Sequence, residues 1–551
     1  MSEEVIWRHA LKNALLHGGR ALPDAVLGKV LAERPELREK LKEVRRRVEE
    51  VVEMVNSLSV EEQRSRLAEV GEPELRKVER KELPELPGVS GPVVTRFAPN
   101  PNGPLHLGHV RAALLSYEYA RRYGGKFILR FEDTNPQNAL PEMYELIRQD
   151  LRWLGISWDE EHLQSDRLEL YYSYAERLLG EGKAYVCTCP AESFREFRES
   201  GRPCPCRELP VEVQLERWRG MLGGEFKEEE AVMRVKTDLS HPNPAVREWP
   251  ALRIVTSPHP RTGTRYRVWP LYNFAVSVDD HEMGVTHILR GKEHEVNEQC
   301  QRFLYMHLGW TYPVAVQYGR LMLEGVELSK TRIMAGVKEG SYTGVDDVRL
   351  ATIASLRRRG YLPQALREAL LEVGLTLVDA RLSWESLASH NRKLLDPIAN
   401  RYFFVPDPLE LVVEGVPEVR RVEVPLHPSF LERGRRSIPV QWEGGKVKVR
   451  ISRRDAHLLR EGQIFRLMGL MNVRVRDGGL EFAGFEVTPV PKIQWVSEPS
   501  IEVRVLRPEG EERGLAEPSL LQEKGQAVQF ERYGFVRIES LQPPTVIYTH
   551  R

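Results

Sequence analysis

Two histidines bracket a glycine in the stretch His106-Leu107-Gly108-His109. Imidazoles held this way can donate hydrogen bonds to phosphoryl oxygens as charge develops on them. Gly108 has no Cβ and lets backbone approach a nucleotide. A helix-like run from Val110 to Arg122 follows. The N-terminus of such a helix offers free N–H groups and a positive dipole end to anions. The chemistry suits ATP phosphates. Taken alone, H-x-G-H reads more often as a Gly-rich turn with two surface histidines, and it is the surrounding string that shifts the balance.

The elements that must position these groups are legible nearby. A β-rich start at Val93 and Val94 enters a Pro/Gly/Asn turn, and a second apolar strand, Phe127 to Phe131, ends on Glu132 and Asp133. That is a βαβ opening with its polar groups at strand C-terminal ends, where ligands bind in open parallel sheets. Downstream, Leu328-Ser329-Lys330-Thr331 places a hydroxyl and a lysine together. In a mobile loop, a lysine acts on phosphates as a point charge. Between them, Trp269 to His294 reads as strand-helix-strand, with Ile288 and Leu289 ending a strand before the charged cluster that holds Arg290 and Glu293. The bland reading of Arg290 is a surface ion pair with Glu293 or Glu295.

Four of the five cysteines cluster as Cys187-Thr188-Cys189 and Cys204-Pro205-Cys206, with fourteen residues between. Two C-x-C pairs suit a tetrahedral zinc knuckle with four thiolate ligands. Two disulfides or four free thiols are the alternatives. In a cytosolic chain the pattern favours metal. Cys300 stands apart in a helix-like stretch, Val296 to Leu308, and reads as structural.

At 551 residues the chain must divide into several domains. Lys+Arg and Asp+Glu balance at 80 each, so net charge does not point to RNA, and any RNA-binding face must come from local patches such as Arg357-Arg358-Arg359, Arg433 to Arg436 and Lys446 to Arg454. No run of about 18 apolar residues suggests a membrane span. The acidic N-terminus lacks the apolar core of a signal peptide. A cytoplasmic enzyme without membrane contact is expected.

Along the chain, residues 1–88 read as a helical N-terminal extension, with Leu/Val at three-to-four spacing from Pro35-Glu36-Leu37 to Leu58. Lys81 to Gly88 is its linker. Residues 91–165 form the first half of a nucleotide fold and 266–325 its second half. An insertion with the cysteines lies at 166–265. Residues 326–400 hold the Lys330 loop and helices such as Pro363 to Val373. From Arg401 to 551, short Val/Ile/Phe-rich runs alternate with polar residues and Gly/Pro turns, a pattern suited to antiparallel β-barrels.

The whole string around His106 resembles the HIGH motif of class I aminoacyl-tRNA synthetases, in particular their glutamyl/glutaminyl branch. Arg96, Pro99, Pro101, Gly103, His106, Gly108, His109, Arg130, Asp133 and Thr134 fall in place. Leu328 to Thr331 resembles the KMSKS loop, with Glu327 where the family has its first lysine, which leaves the phosphate contact to Lys330. The resemblance implies a multidomain α/β chain: a Rossmann-like catalytic domain, an acceptor-stem insertion, a helical stem-contact region and C-terminal β-barrel anticodon-binding domains. It implies His106, His109 and Lys330 as catalytic residues, with Gly108, Glu293, Ser329 and Lys330 on ATP. It places Arg96, Glu132, Tyr272 and Arg290 on glutamate, where glutaminyl enzymes lack the cation matching Arg290. ATP with Mg2+ and a structural Zn2+ on Cys187, Cys189, Cys204 and Cys206 are the implied cofactors. Expected partners are L-glutamate and tRNA-Glu, with tRNA-Gln left open, in a monomer. A glutaminyl enzyme is the alternative. A tRNA-modifying relative sits poorly with the β-rich C-terminal region, and a non-catalytic paralogue sits poorly with intact motifs.

Overall fold

The computed structural model describes residues 3–16, 19–34, 37, 40–71, 83–326, 328–476 and 478–551. Glu327, the Pro35-Glu36 start of the N-terminal periodicity and the Lys81 end of the linker lie outside the described residues. The chain forms two compact units, Met1–Glu82 and Leu83–Arg551.

The first unit contains helices α1 (Glu3–Leu16), α2 (Pro23–Glu33), α3 (Leu41–Ser57) and α4 (Val60–Val70). In α3 the buried residues are Val44, Val48, Val51, Val52 and Val55. Their three-to-four spacing makes one apolar stripe, and the stripe packs on α1 and α2 residues such as Ile6, Leu11 and Val26. Ser59 and Glu62 cap α4 reciprocally.

The second unit begins with strand β1 (Thr95–Phe97), helix α5 (Leu107–Arg122), strand β2 (Phe127–Phe131), helix α6 (Pro141–Trp153) and strand β3 (Glu160–Leu163). The three strands run parallel in the order β1-β2-β3. All five β2 residues are buried, as expected for a strand covered on both faces. The first strand starts at Thr95 and not at Val93. Val94 instead joins a neighbouring segment: its carbonyl accepts from the N–H groups of Thr286 and His287. The expected helix starts earlier, at Leu107, because His106 caps it.

Helix α7 (Leu168–Gly180) leads into an antiparallel sheet of β4 (Ala184–Cys187), β5 (Val232–Val235), β6 (Pro250–Ile254) and β7 (Val268–Pro270). Helices α8 (Ala191–Ser200) and α9 (Val211–Gly223) separate β4 from β5. Strand β7 opens the segment read from sequence as the return to the nucleotide fold, yet it pairs with β6. Helix α10 (Tyr272–Glu282), strand β8 (His287–Gly291), helix α11 (Glu295–Leu308) and strand β9 (Val314–Tyr318) follow, with β8 and β9 parallel. Through the Val94 contacts this pair lies beside β1.

Helix α12 (Lys330–Lys338) begins at the lysine of the second motif. From Asn400 onward the chain is mostly β. One seven-stranded sheet runs, in spatial order, Asn400–Tyr402, Ala527–Phe530, Gly534–Leu541, Pro544–His550, Ile501–Arg507, Gly510–Ala516 and Phe404–Pro406. Its first and last strands are consecutive in sequence, so the sheet nearly closes. A second seven-stranded sheet is built around Lys446–Ser452 and Pro408–Glu414. Val447, Val449 and Ile451 face its core while Lys446, Lys448 and Arg450 do not, the period-two alternation of a one-sided strand.

Candidate active site

His106 is the N-cap of α5. Its Nδ1 accepts a hydrogen bond from the Gly108 N–H at 3.2 Å, and the Nδ1 of His109 accepts from the His106 N–H at 3.4 Å. An acceptor Nδ1 leaves the ring proton on Nε2 in each neutral imidazole. Burial and the Lys330 charge push His106 down to about 4. Burial first, then Lys330 and His106, hold His109 well below the ordinary histidine value. Both rings are therefore neutral Nε2–H donors at physiological pH, 3.7 Å apart between centroids. Gly108 has a local role besides backbone approach. A Cβ there would stand 3.0 Å from His106 Cε1 and 3.2 Å from Nδ1. A larger residue would push the imidazole off its cap.

Lys330 reaches this turn from 230 residues beyond Asn100 in the chain. Its Nζ donates to the Asn100 carbonyl at 2.9 Å, and its stem lies against Gly103. Burial brings Lys330 down to about 8. Ser329 accepts from the Arg332 N–H at 3.5 Å and caps α12, so Lys330 occupies a helix start and not the middle of a loop.

A buried charge network lies at the ends of β1 and β2. Arg96 on β1 donates through Nε and NH2 to the two oxygens of Asp280, at 3.1 and 3.4 Å. Arg130 on β2 is fully buried; it donates to Asp280 at 2.6 Å and to Glu132 at 3.1 Å. Asp279 accepts from Arg167, Gln164 and Tyr171. Burial works against the Asp280 carboxylate, yet Arg96 and Arg130 hold it below the ordinary aspartate value. Burial pushes Glu132 up against the pull of Arg130 and Arg96. Asp133 accepts from the Ser165 main chain and hydroxyl and from Tyr144, which ties β2 to the start of the insertion. Arg130, Asp279 and Asp280 carry this network; the sequence placed Arg130 in the family string without a role and left Asp279 and Asp280 unnamed. A paired acid at the end of an otherwise apolar helix, Val278-Asp279-Asp280, was the available signal.

Tyr272 is the first residue of α10, with its hydroxyl 3.5 Å from His294 Nδ1. Arg290 sits on β8 and is 5% exposed, so the surface reading fails. Its partner is neither Glu293 nor Glu295. NH2 donates to Glu298 at 2.9 Å and to the Tyr312 hydroxyl at 3.0 Å, while NH1 donates to Gln301 at 3.0 Å. Glu293 is 41% exposed and lies 3.9 Å from Arg320. Its carboxylate occupies the space a Cβ on Gly291 would need. A groove lined by Met322, Glu324, Glu372, Arg381 and Ser386 lies elsewhere and includes none of these residues.

The sulfur atoms of Cys187, Cys189, Cys204 and Cys206 all lie within 4.8 Å of one another. Cys187 and Cys204 are 3.9 Å apart and Cys189 and Cys206 3.7 Å. A disulfide needs about 2.05 Å, so neither pair is bridged. Four thiolates at about 2.3 Å from one zinc would be spaced at about 3.8 Å, and the observed donor set fits that ion. Among the described residues no helix is long and apolar enough to cross a membrane.

Residues 92–397 match the catalytic domain of the class I tRNA synthetases (E and Q), and residues 399–485 and 492–539 match two anti-codon binding domains of the same class. The chain belongs to that family and is an aminoacyl-tRNA synthetase. It is 54% identical over 573 residues to the glutamate–tRNA ligase of Pyrococcus abyssi, covering 100% of both chains. It is 48% identical to that of Methanopyrus kandleri, covering 99% of each. A solved glutamate tRNA ligase from Elizabethkingia meningosepticum is 26% identical, covers 56% of this chain and 70% of its own, and has a TM-score of 0.42.

Proposed function

We propose that the chain is a glutamate–tRNA ligase, which activates L-glutamate with ATP and transfers it to the terminal adenosine of tRNA-Glu. The observation that carries this reading is the meeting of Lys330 with the His106–His109 turn, in a fold that also buries Arg96 on β1 and Arg290 on β8. In the first step the glutamate α-carboxylate attacks the ATP α-phosphorus, a new C(O)–O–P bond forms, and pyrophosphate leaves. His106 and His109 donate Nε2 protons in hydrogen bonds to phosphoryl oxygens. Lys330 adds a point charge, and Gly108, Ser329 and Glu293 are assigned with it to ATP. Mg2+, bound with ATP, supplies further charge neutralisation. Catalysis by these groups is positioning and electrostatics. In the second step the tRNA 2′-hydroxyl attacks the glutamyl carbonyl, and AMP leaves with its phosphate oxygen. No protein nucleophile takes part.

Arg96, Glu132, Tyr272 and Arg290 are assigned to glutamate. Glu132 takes the α-amino group, and Arg290 and Arg96 face the side-chain carboxylate. The insertion carrying Cys187, Cys189, Cys204 and Cys206 grips the acceptor end around a structural zinc, and the C-terminal sheets contact the anticodon. The enzyme acts as a monomer in the cytoplasm. Pyrophosphate exchange with glutamate, with and without tRNA, tests the reading, and acylation of purified tRNA-Glu and tRNA-Gln sets the RNA range. Charging of glutamine in place of glutamate would turn the assignment to the glutaminyl alternative.

A further inference from the structure

The guanidinium of Arg290 is ringed by three side chains from two parts of the chain. Glu298 and Gln301 come from the first two turns of α11, and Tyr312 from the turn before β9. Gln301 is itself held, accepting from the Tyr312 hydroxyl at 2.7 Å and donating to Asn273 at 3.2 Å. The one donor atom left buried without a partner is Nε. With both N–H groups of NH2 engaged, Arg290 retains Nε–H and one hydrogen of NH1 for a further acceptor.

Glu298 is not a simple partner. One oxygen accepts from Arg290 and from Gln317 (3.3 Å), and the other from Arg302 at 3.1 and 2.8 Å. It is 15% exposed and lies in the first turn of α11, where the helix dipole favours an anion. Burial opposes its ionisation, but hydrogen bonds from Arg302 and Arg290 hold it below the ordinary glutamate value. Arg302 is 55% exposed and stacks on Tyr312 at 4.5 Å. One ionised carboxylate is thus shared between a buried and an exposed arginine.

We infer that Glu298 is a specificity-setting positioning residue: as the resident counter-ion of Arg290, it moderates how strongly that arginine draws the side-chain carboxylate of the amino-acid substrate, and Arg302 tunes it from the solvent side. The inference rests on the reading that Arg290 faces the substrate. A second carboxylate brought to the same guanidinium repels the first. Glu298 therefore weakens glutamate binding while fixing the fork that receives it. It also means that glutamine does not confront a bare buried charge. Rejection of the amide rests on hydrogen-bond geometry and on partial charge, and not on an uncompensated cation.

The test is pyrophosphate exchange at saturating tRNA, reading KM for glutamate, KM for ATP and the glutamate-to-glutamine ratio. Glu298→Gln keeps an oxygen acceptor of the same shape and removes the competing charge. Glutamate KM falls by roughly threefold to tenfold, the preference over glutamine widens and ATP KM stays put. Arg302→Gln leaves the whole Glu298 charge on Arg290, so glutamate KM rises by about twofold, a small effect because Arg302 is largely solvated. Arg302→Lys restores it. Opposite signs from two neighbours exclude a merely structural role, which would loosen the pocket in both variants. An unchanged or raised glutamate KM in Glu298→Gln, or shifts of the same sign in the two variants, overturns the inference. If Glu298→Gln does not fold, a silent Arg302→Gln overturns it equally. Arg290→Gln separates the two levels. A glutamate KM raised at least tenfold there, with silent neighbours, sinks the role of Glu298 alone. An unchanged KM sinks the pocket reading itself.

Discussion

Lys330 Nζ donates to the main-chain oxygen of Asn100 at 2.9 Å, so the second motif is docked on the first. The lysine is buried there, with no carboxylate partner among the described residues. Lys330→Ala is expected to lower glutamate-dependent pyrophosphate exchange at least tenfold, about 1.4 kcal/mol of transition-state stabilisation, with tRNA affinity little changed. Normal exchange in this variant removes Lys330 from the chemistry.

The lowered Lys330 value gives a pH dependence of known sign. Burial brings it to about 8, so the free enzyme loses this charge as pH rises through 8. The kcat/KM for ATP should fall on that limb, because this ratio reports groups of the free enzyme. The substitution Lys330→Arg should flatten it, since arginine stays charged. A limb that persists unchanged in that variant belongs to another group.

One zinc per chain is expected, held by Cys187, Cys189, Cys204 and Cys206. With four protein ligands there is no open position for water, so the ion is structural. Metal analysis of protein purified without chelators checks the stoichiometry. Cys204→Ser should weaken acylation more than tRNA-independent stability of the nucleotide fold, since the cluster lies in the insertion. Metal-free protein with four titratable thiols refutes the site.

Removing the cation with Arg290→Ala should collapse the preference for glutamate mainly through lost glutamate activity. Efficient glutamine use is not expected, because the truncated side chain leaves no donor at that position for the amide oxygen and opens space that glutamine does not fill. Charging assays with both amino acids at matched concentrations read this directly. Full glutamate activity in the variant would withdraw Arg290 from the pocket.

Asp150 offers a stability test away from the site. Both of its oxygens are buried without hydrogen-bond partners, and Arg357 stands 3.7 Å away. Burial pushes its carboxyl up to about 7. The folded state therefore binds a proton that the unfolded state releases near pH 4. Stability contributed by the neutral form is full below pH 4 and is lost as pH rises through about 7. Asp150→Asn should raise the thermal midpoint above pH 7, by up to a few kcal/mol in stability, and leave it nearly unchanged near pH 4. An equal gain at both pH values would show that ionisation is not the cause.

Much of the chain was decided by local sequence. Phe127–Phe131 and Pro363–Val373 form the elements their apolar runs and Pro punctuation indicate. The His106 turn, the Lys330 motif and the paired C-x-C cysteines were visible because their chemistry is written in contiguous residues. The family followed from the same strings. What tertiary structure alone decided was partnership. Arg290 chooses Glu298, one turn into α11, over the nearer Glu293 and Glu295, because only that helical face returns toward β8. Arg96 and Arg130 meet on Asp280, more than a hundred residues away, and β7 pairs with β6 and not with the nucleotide sheet. Local propensity sets which residues are helix or strand. The counter-ion of a buried charge depends on how separate elements cross, and burial makes that choice costly to change.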